Sequence, residues 1–222
     1  PFEIPDAITH VAVLKNGAID QQVSAKDFDS YSFTKIDKGK LDLKELSALL
    51  NINPIPPYEW IVRMNNVNIT YGEKEILKNV DWQIRQSDRW ALLGPNGAGK
   101  STLLSLVNAD NPQAYANDIT LFDRKRGTGD SIWDIKNKTG FVSPELYQYF
   151  PTDNSCLQVI ESGFYDTMGL FRPGDPKKSA IALRWMKALE IDRYARVLLK
   201  NIPASAQRLC LLARALIKNP TL

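Results

Sequence analysis

Cysteine is nearly absent. Cys156 and Cys210 are the only two in 222 residues, so no disulfide framework holds this chain. Both fall in apolar helical patterns, where buried thiols of a reducing compartment are expected. Long apolar runs are also missing. A membrane span needs about 20 apolar residues, and the longest candidate, Leu209 to Ile217, is short and contains Arg214. Charge of one sign is not in excess: the net charge of +3 does not by itself point to a nucleic-acid partner. No signal peptide is visible, and a start at Pro1 without Met is expected of a piece of a longer protein. What is present, 44% hydrophobic and 24% charged residues, suits a soluble globular chain with room for a sizeable core and one or two domains.

The most informative run is Gly94-Pro95-Asn96-Gly97-Ala98-Gly99-Lys100-Ser101-Thr102, which fits the phosphate-binding pattern G-x-x-x-x-G-K-[ST] without a mismatch. It follows Trp90-Ala91-Leu92-Leu93, which reads as a buried strand, and it precedes Thr102 to Val107, which reads as the start of a helix. The spacing has a chemical reason. Backbone N–H groups meet a polyphosphate only where the chain curls with no Cβ in the way, and Gly94, Gly97 and Gly99 permit that curl. The helix N-terminus adds positive potential. Lys100 reaches the β- and γ-phosphates of a nucleotide, and the Ser101 hydroxyl is placed to ligate Mg²⁺. The bland alternative is a glycine-rich turn before a helix.

The chain divides into three parts. Residues 1–23 hold two short alternating runs around Asn16-Gly17, a hairpin signal. Residues 24–58 read as a polar linker with one short helix at Leu43 to Leu50 and prolines at 54, 56 and 57. A domain runs from residue 59 to residue 222. Its expected strands are Ile61 to Met64, Val80 to Ile84, Ile119 to Phe122 and Gly140 to Ser143. Its expected helices are Ser131 to Lys138, Ser155 to Gly163, Lys177 to Leu189 and Ser205 to Lys218. Trp133 and Trp185 are expected in the core. Arg124-Lys125-Arg126 beside two glycines reads either as a solvated loop or as an anion or partner contact.

This order of elements, with the loop above, resembles the ATP-binding cassette (ABC) ATPases. Asn68-Ile69-Thr70-Tyr71-Gly72 looks like the family's aromatic loop, and Gln207 to Leu216 looks like the helix after the family's signature. The likeness extends through Asn117 to Phe122, Arg124 to Gly129 and Ile132 to Lys136. It is closest to the second cassette of tandem-cassette ATPases found with molybdate-uptake systems. Phe2-Glu3-Ile4-Pro5-Asp6 and the hairpin then look like the tail of a first cassette, and His10 reads as a strand residue beyond its switch histidine. The resemblance implies an α/β P-loop NTPase of the ABC type, with an antiparallel β subdomain and a helical subdomain. It implies ATP and Mg²⁺ as ligands, and Tyr71 stacked on adenine. The other reading of Tyr71 is a half-buried strand aromatic.

Three departures bear on function. The signature Leu-Ser-x-Gly-Gln is matched here by Ile202-Pro203-Ala204-Ser205-Ala206. Pro203 has neither hydroxyl nor N–H, and Ser205 adds bulk where backbone approaches phosphate, so a weak half-site is expected unless the Ser205 hydroxyl substitutes. The glutamine-loop position is Pro144, within Ser143-Pro144-Glu145. The strand that carries the family's metal-binding aspartate and catalytic glutamate would follow Leu222. The expected function is an ATP-binding and hydrolysing component that closes against a second ABC cassette. It lies in the cytoplasm or peripherally on the inner face of a membrane. Two classes stay open: the energising part of an importer with a membrane permease, by resemblance for molybdate or another oxyanion, or a soluble tandem ATPase acting on ribosome, nucleic acid or regulation. A structural nucleotide-binding module is the third.

Overall fold

The computed structural model describes residues 9–15, 18–28, 42–52, 54–151 and 153–222. Phe2 to Asp6 and the Asn16-Gly17 turn lie outside the described residues. Two compact units result, Pro1–Leu41 and Asp42–Leu222. In the first, β1 (His10–Lys15) pairs antiparallel with β2 (Ala18–Ser24), from His10 opposite Ser24 to Lys15 opposite Ala18. This is the expected hairpin.

The second unit has two layers. Its sheet contains β3 (Val62–Tyr71), β4 (Lys74–Ile84), β5 (Asp118–Leu121) and β6 (Arg124–Lys125), in the order β4-β3-β5-β6 and antiparallel throughout. The alternation read over Ile61 to Met64 gives Val62 and Met64 as inward, and beyond an irregularity in the register between Met64 and Val67 the inward face continues with Val67 and Ile69; all four are buried. They close a core with Leu103, Leu106 and Val107 of α2 (Lys100–Val107) and Ile135 of α3 (Ile132–Lys136). The helical layer packs α1 (Leu43–Leu50), α4 (Cys156–Glu161), α5 (Pro176–Ala188) and α6 (Ala204–Leu216) around Leu49, Val159, Ile160, Trp185, Met186 and Leu211. Helix α1, placed by the sequence in a linker, packs in this layer and its Glu45 grips Arg184 of α5 at 2.6 and 3.2 Å.

The helices start where local chemistry says they should. Asp42, Ser131, Ser155 and Asp175 each accept a backbone N–H at the start of α1, α3, α4 and α5, and Ser131 and Ser155 complete capping boxes with Asp134 and Gln158. Among the described α-helices, two have no side-chain cap: α2, which follows Gly99, and α6, which follows Pro203.

Three expectations are corrected. Trp90 to Leu93 is not a buried strand; it forms no strand, and Leu93 is 86% exposed. Gly140 to Ser143 is likewise not a strand, with Phe141 and Val142 exposed. Apolar residues permit a strand, but a ladder of backbone partners makes one. The sheet ends at β4 and β6, so neither segment has a ladder among the described residues. Trp133 is 55% exposed, because α3 has little more than one turn and turns Ile135 inward instead. Trp185, at 1%, is core as expected, and both cysteines are buried free thiols.

The basic triplet is mostly local structure. Lys125 pairs with Asp118 at 2.9 Å, and Arg124 donates to the Thr128 carbonyl. Arg126 is buried, pairs with Asp130 and donates to the Tyr115 hydroxyl at 2.9 Å.

Candidate functional site

The glycine loop has the conformation its sequence demands. Gly94, Gly97 and Gly99 have φ of +156°, +83° and +91°. Gly99 is the tightest. A Cβ there would stand 2.9 Å from Leu77 Cδ2 and 3.1 Å from the Ile76 carbonyl oxygen, so helix α2 begins jammed against β4. Ala98 N–H turns back to the Pro95 carbonyl at 3.2 Å, and the first amide of the helix to find a carbonyl is that of Leu103, at 2.9 Å. The amides before it are the unpaired groups that every helix start exposes, and here no side chain covers them.

Lys100 marks the centre of this loop. Its Nζ donates to the Gly94 carbonyl at 2.7 Å and the Pro95 carbonyl at 2.8 Å, so the ammonium lies across the curl. Asn96 and Ser101 are exposed, and Thr102 is half-buried. The arrangement therefore offers backbone donors, one ammonium and one exposed hydroxyl to a single small volume. That donor set fits a polyphosphate with its metal. Among the described residues no group of three or more His, Cys, Asp or Glu is placed to hold a metal ion. Any cation here would take oxygen ligands from Ser101 and from the phosphates themselves.

Tyr71 ends β3 at the tip of the β3–β4 hairpin, opposite Lys74 across Gly72-Glu73, with Gly72 at φ +60°. Half of it is exposed, and its hydroxyl accepts a hydrogen bond from Asn111 Nδ2 at 2.9 Å. The sequence reading missed Asn111; an Asn before a Pro looks like an ordinary turn.

The other expected site lies at the start of α6. Ile202 and Ala206 are buried, while Pro203, Ala204 and Ser205 are exposed. Gln207 turns inward, its Nε2 donating to the carbonyls of Leu199 and Ile202 at 3.1 Å each. Ile202 to Ala206 thus caps the helical layer with methyl groups and a proline ring. His10, in β1 of the first unit, is exposed, and its ring Nδ1 hydrogen-bonds to the hydroxyl of its neighbour Thr9.

A further feature had no sequence signal. A cavity of about 210 Å³ is lined by Asp110, Lys136, Gly140, Asp166, Arg214 and Lys218, among others. Lys218 donates to Asp166 and to the Lys136 carbonyl, tying the helical layer to the end of α3. Burial pushes the Arg214 and Lys218 cations below their usual pKa range, and Asp166 opposes that shift in both. The segment that resembles the glutamine loop begins on this wall. Gly140 N–H donates to the Leu222 carbonyl at 2.7 Å, and a Cβ on Gly140 would stand 2.8 Å from Pro220.

Comparison with known proteins agrees with this architecture. The sequence pattern of the family described as ABC transporter matches residues 77–222. The ABC transporter ATP-binding protein ModF of Escherichia coli is 41% identical over 169 residues, which are 76% of this chain and 34% of that protein. An uncharacterised ABC transporter ATP-binding protein of Schizosaccharomyces pombe is 31% identical over 222 residues, 99% of this chain and 44% of its own. The chain therefore spans less than half the length of these curated relatives. Among solved structures, a dimeric ATP-binding cassette in a post-hydrolysis state with ADP and phosphate is 25% identical with a TM-score of 0.58, covering 72% of this chain and 70% of that one. The cassette cbiO1 of Clostridium perfringens, 18% identical, shares the fold with a TM-score of 0.60 over 73% of this chain and 63% of its own.

Proposed function

This chain belongs to the ABC transporter family, and on that footing we propose that it is the nucleotide-binding body of the second cassette in a tandem ATPase. Residues 1–23 would be the tail of a first cassette, 24–58 the connection, with its helix α1 packed into the helical layer, and 59–222 the second cassette up to its metal-binding strand. The observation that carries the reading is the curl at Gly94 to Gly99 with the Lys100 ammonium laid across it. An ATP polyphosphate takes over the two carbonyls' place as partner of Lys100. The amides of Gly97, Gly99 and the first turn of α2 then donate to its oxygens. Pro95, Asn96 and Ala98 shape the curl, Thr102 supports it from the helix, and Tyr71 stacks on adenine. Ser101 holds Mg²⁺, whose charge offsets that of the phosphoryl oxygens when bound.

Water activation needs a carboxylate, and the family's position for it would follow Leu222. This chain alone is expected to bind ATP–Mg²⁺ and to turn it over slowly. Calorimetric titration should saturate at one site per chain, with hydrolysis near background. No saturable binding would refute the assignment, and brisk hydrolysis would refute the division of labour.

In the whole protein, closure of two cassettes around nucleotide would drive the work. The resemblance to tandem-cassette ATPases found with molybdate-uptake systems favours an importer for an oxyanion such as molybdate, with a membrane permease as partner at the cytoplasmic face. No helix among the described residues is long and apolar enough to cross a membrane. The altered segments Ile202 to Ala206 and Ser143 to Glu145 favour a second reading. In it, a tandem ATPase acts without a permease, on ribosome, nucleic acid or regulation. Co-purification of the full-length protein with a permease, with ribosomes or with neither separates the two.

A further inference from the structure

We infer that Asn111 is the residue that positions the base-stacking aromatic, and that it couples Tyr71 to the phosphate-binding helix. The inference rests on the reading of Tyr71 as the adenine platform. A tyrosine at a hairpin tip ordinarily points its hydroxyl into water. Here the ring is half exposed, yet its hydroxyl is held from within by a side chain that is only 4% exposed. Asn111 Nδ2 donates to Tyr71 Oη at 2.9 Å and to Ser105 Oγ at 3.2 Å, and Ser105 Oγ donates to the Thr102 carbonyl at 2.7 Å. The relay thus runs from the phosphate loop's own Thr102, through α2, to the aromatic hydroxyl.

The same short segment also fixes the backbone under the ring. Strand β5 covers β3 only from Val62 to Asn65, so the far edge of β3 needs other partners. Gln113 supplies them at Thr70, its amide donating to the Thr70 carbonyl at 3.0 Å and accepting the Thr70 N–H at 3.4 Å. Asn111 Oδ1 accepts Gln113 N–H at 3.0 Å, which holds the two braces together. Gln113 sets where Tyr71 stands, and Asn111 sets where its ring points. Both donor hydrogens of the buried Asn111 amide are committed, so loss of the Tyr71 hydroxyl leaves one of them unpaired. The two side chains therefore act as a unit.

The test compares a ligand with a base and one without. ATP–Mg²⁺ and tripolyphosphate–Mg²⁺ are titrated into wild type, Tyr71→Ala, Tyr71→Phe, Asn111→Ser and the Tyr71→Phe/Asn111→Ser pair. Serine keeps an N-terminal cap for the turn Pro112–Ala116 but is too short to reach the hydroxyl. Tyr71→Phe and Asn111→Ser are each expected to weaken ATP about two- to tenfold, the worth of one neutral hydrogen bond. Tripolyphosphate binding should stay at the wild-type value, and the double variant should be no weaker than the worse single. Equal losses for both ligands would reveal a merely structural role and overturn the proposal, as would additive losses in the pair. If Tyr71→Ala weakens ATP while Tyr71→Phe and Asn111→Ser do not, the positioning role alone falls. If Tyr71→Ala leaves ATP binding intact, the base-stacking reading falls and this one with it.

Discussion

Helices α2 and α6 both begin without a side-chain cap, whereas α1, α3, α4 and α5 are all capped by Asp or Ser. An uncapped start leaves amides available, and among the described α-helices these two stand where the family resemblance puts phosphate. Beyond that they diverge. The chain reaches α2 through three glycines at positive φ, and Lys100 closes over the curl. It reaches α6 through Pro203, at φ −57°, followed by Ala204, Ser205 and Ala206. One end has been cleared of Cβ atoms and given an ammonium; the other carries methyl groups and a ring. Open amides are needed for an anion site but do not make one without room and countercharge.

The largest way to break this comparison is Lys100→Ala. Charge-assisted hydrogen bonds contribute about 1.5–3 kcal/mol each, so ATP affinity should fall by at least tenfold in calorimetry. An unchanged affinity would mean that the curl is only a turn. Tyr71→Ala comes next, with an expected loss of about 1–3 kcal/mol, the usual worth of a base stack. Tyr71→Trp keeps the stacking face but loses the hydroxyl that Asn111 holds, so it should weaken ATP far less than Tyr71→Ala and about as much as Tyr71→Phe. A capped and an uncapped helix can also be set side by side. Asp175 accepts Lys177 N–H at 2.9 Å, so Asp175→Ala should cost about 1 kcal/mol of stability in denaturant titration. Ser205→Ala, at the exposed start of α6, should stay within about 0.5 kcal/mol. A larger loss there would show the Ser205 hydroxyl in use. Another small effect concerns the sheet. Asn65 at 2.7 Å, and then Lys125, hold the Asp118 carboxyl below its usual pKa. A lowered folded-state pKa gives stability that is present above the unfolded value and lost as pH falls through the folded one. Asn65→Ala should therefore cost less than about 1 kcal/mol at neutral pH, because the pair is exposed. The cost should vanish in strong acid.

What was legible in the sequence is what local rules decide. The phosphate curl followed from glycine spacing. Helix α1 runs over Leu43–Leu50 as read, because Asp42 caps it and Leu49 faces inward. Ser131 and Ser155 announced α3 and α4 in the same way. What was not legible depends on distant partners. Trp90 to Leu93 has the composition of a strand but no ladder beside it. Trp133 has the size of a core residue, but its short helix turns it outward. Arg214 interrupted an apolar run and is nonetheless buried, donating to Ser162 Oγ and the Thr167 carbonyl. Asn111 carried no signal, because its partners Tyr71 and Ser105 come together only when β3 and α2 pack.

To a pair of cassettes this chain would bring a working phosphate loop and a poor signature segment. In the tandem protein proposed above, a head-to-tail pair would set its loop against the first cassette's signature and Ile202 to Ala206 against the first cassette's loop. Loss of one donor from a transition-state site costs about 2.7–4 kcal/mol, so the two composite sites should differ in turnover by about a hundredfold or more. The direct measurement is trapping of hydrolysed nucleotide in the full-length protein with a photoreactive ATP, followed by mapping of the labelled segment. This asymmetry puts trapped product at the Gly94 to Thr102 loop, with its loss in Lys100→Ala. Product trapped instead at the loop facing Ile202 to Ala206 would contradict it.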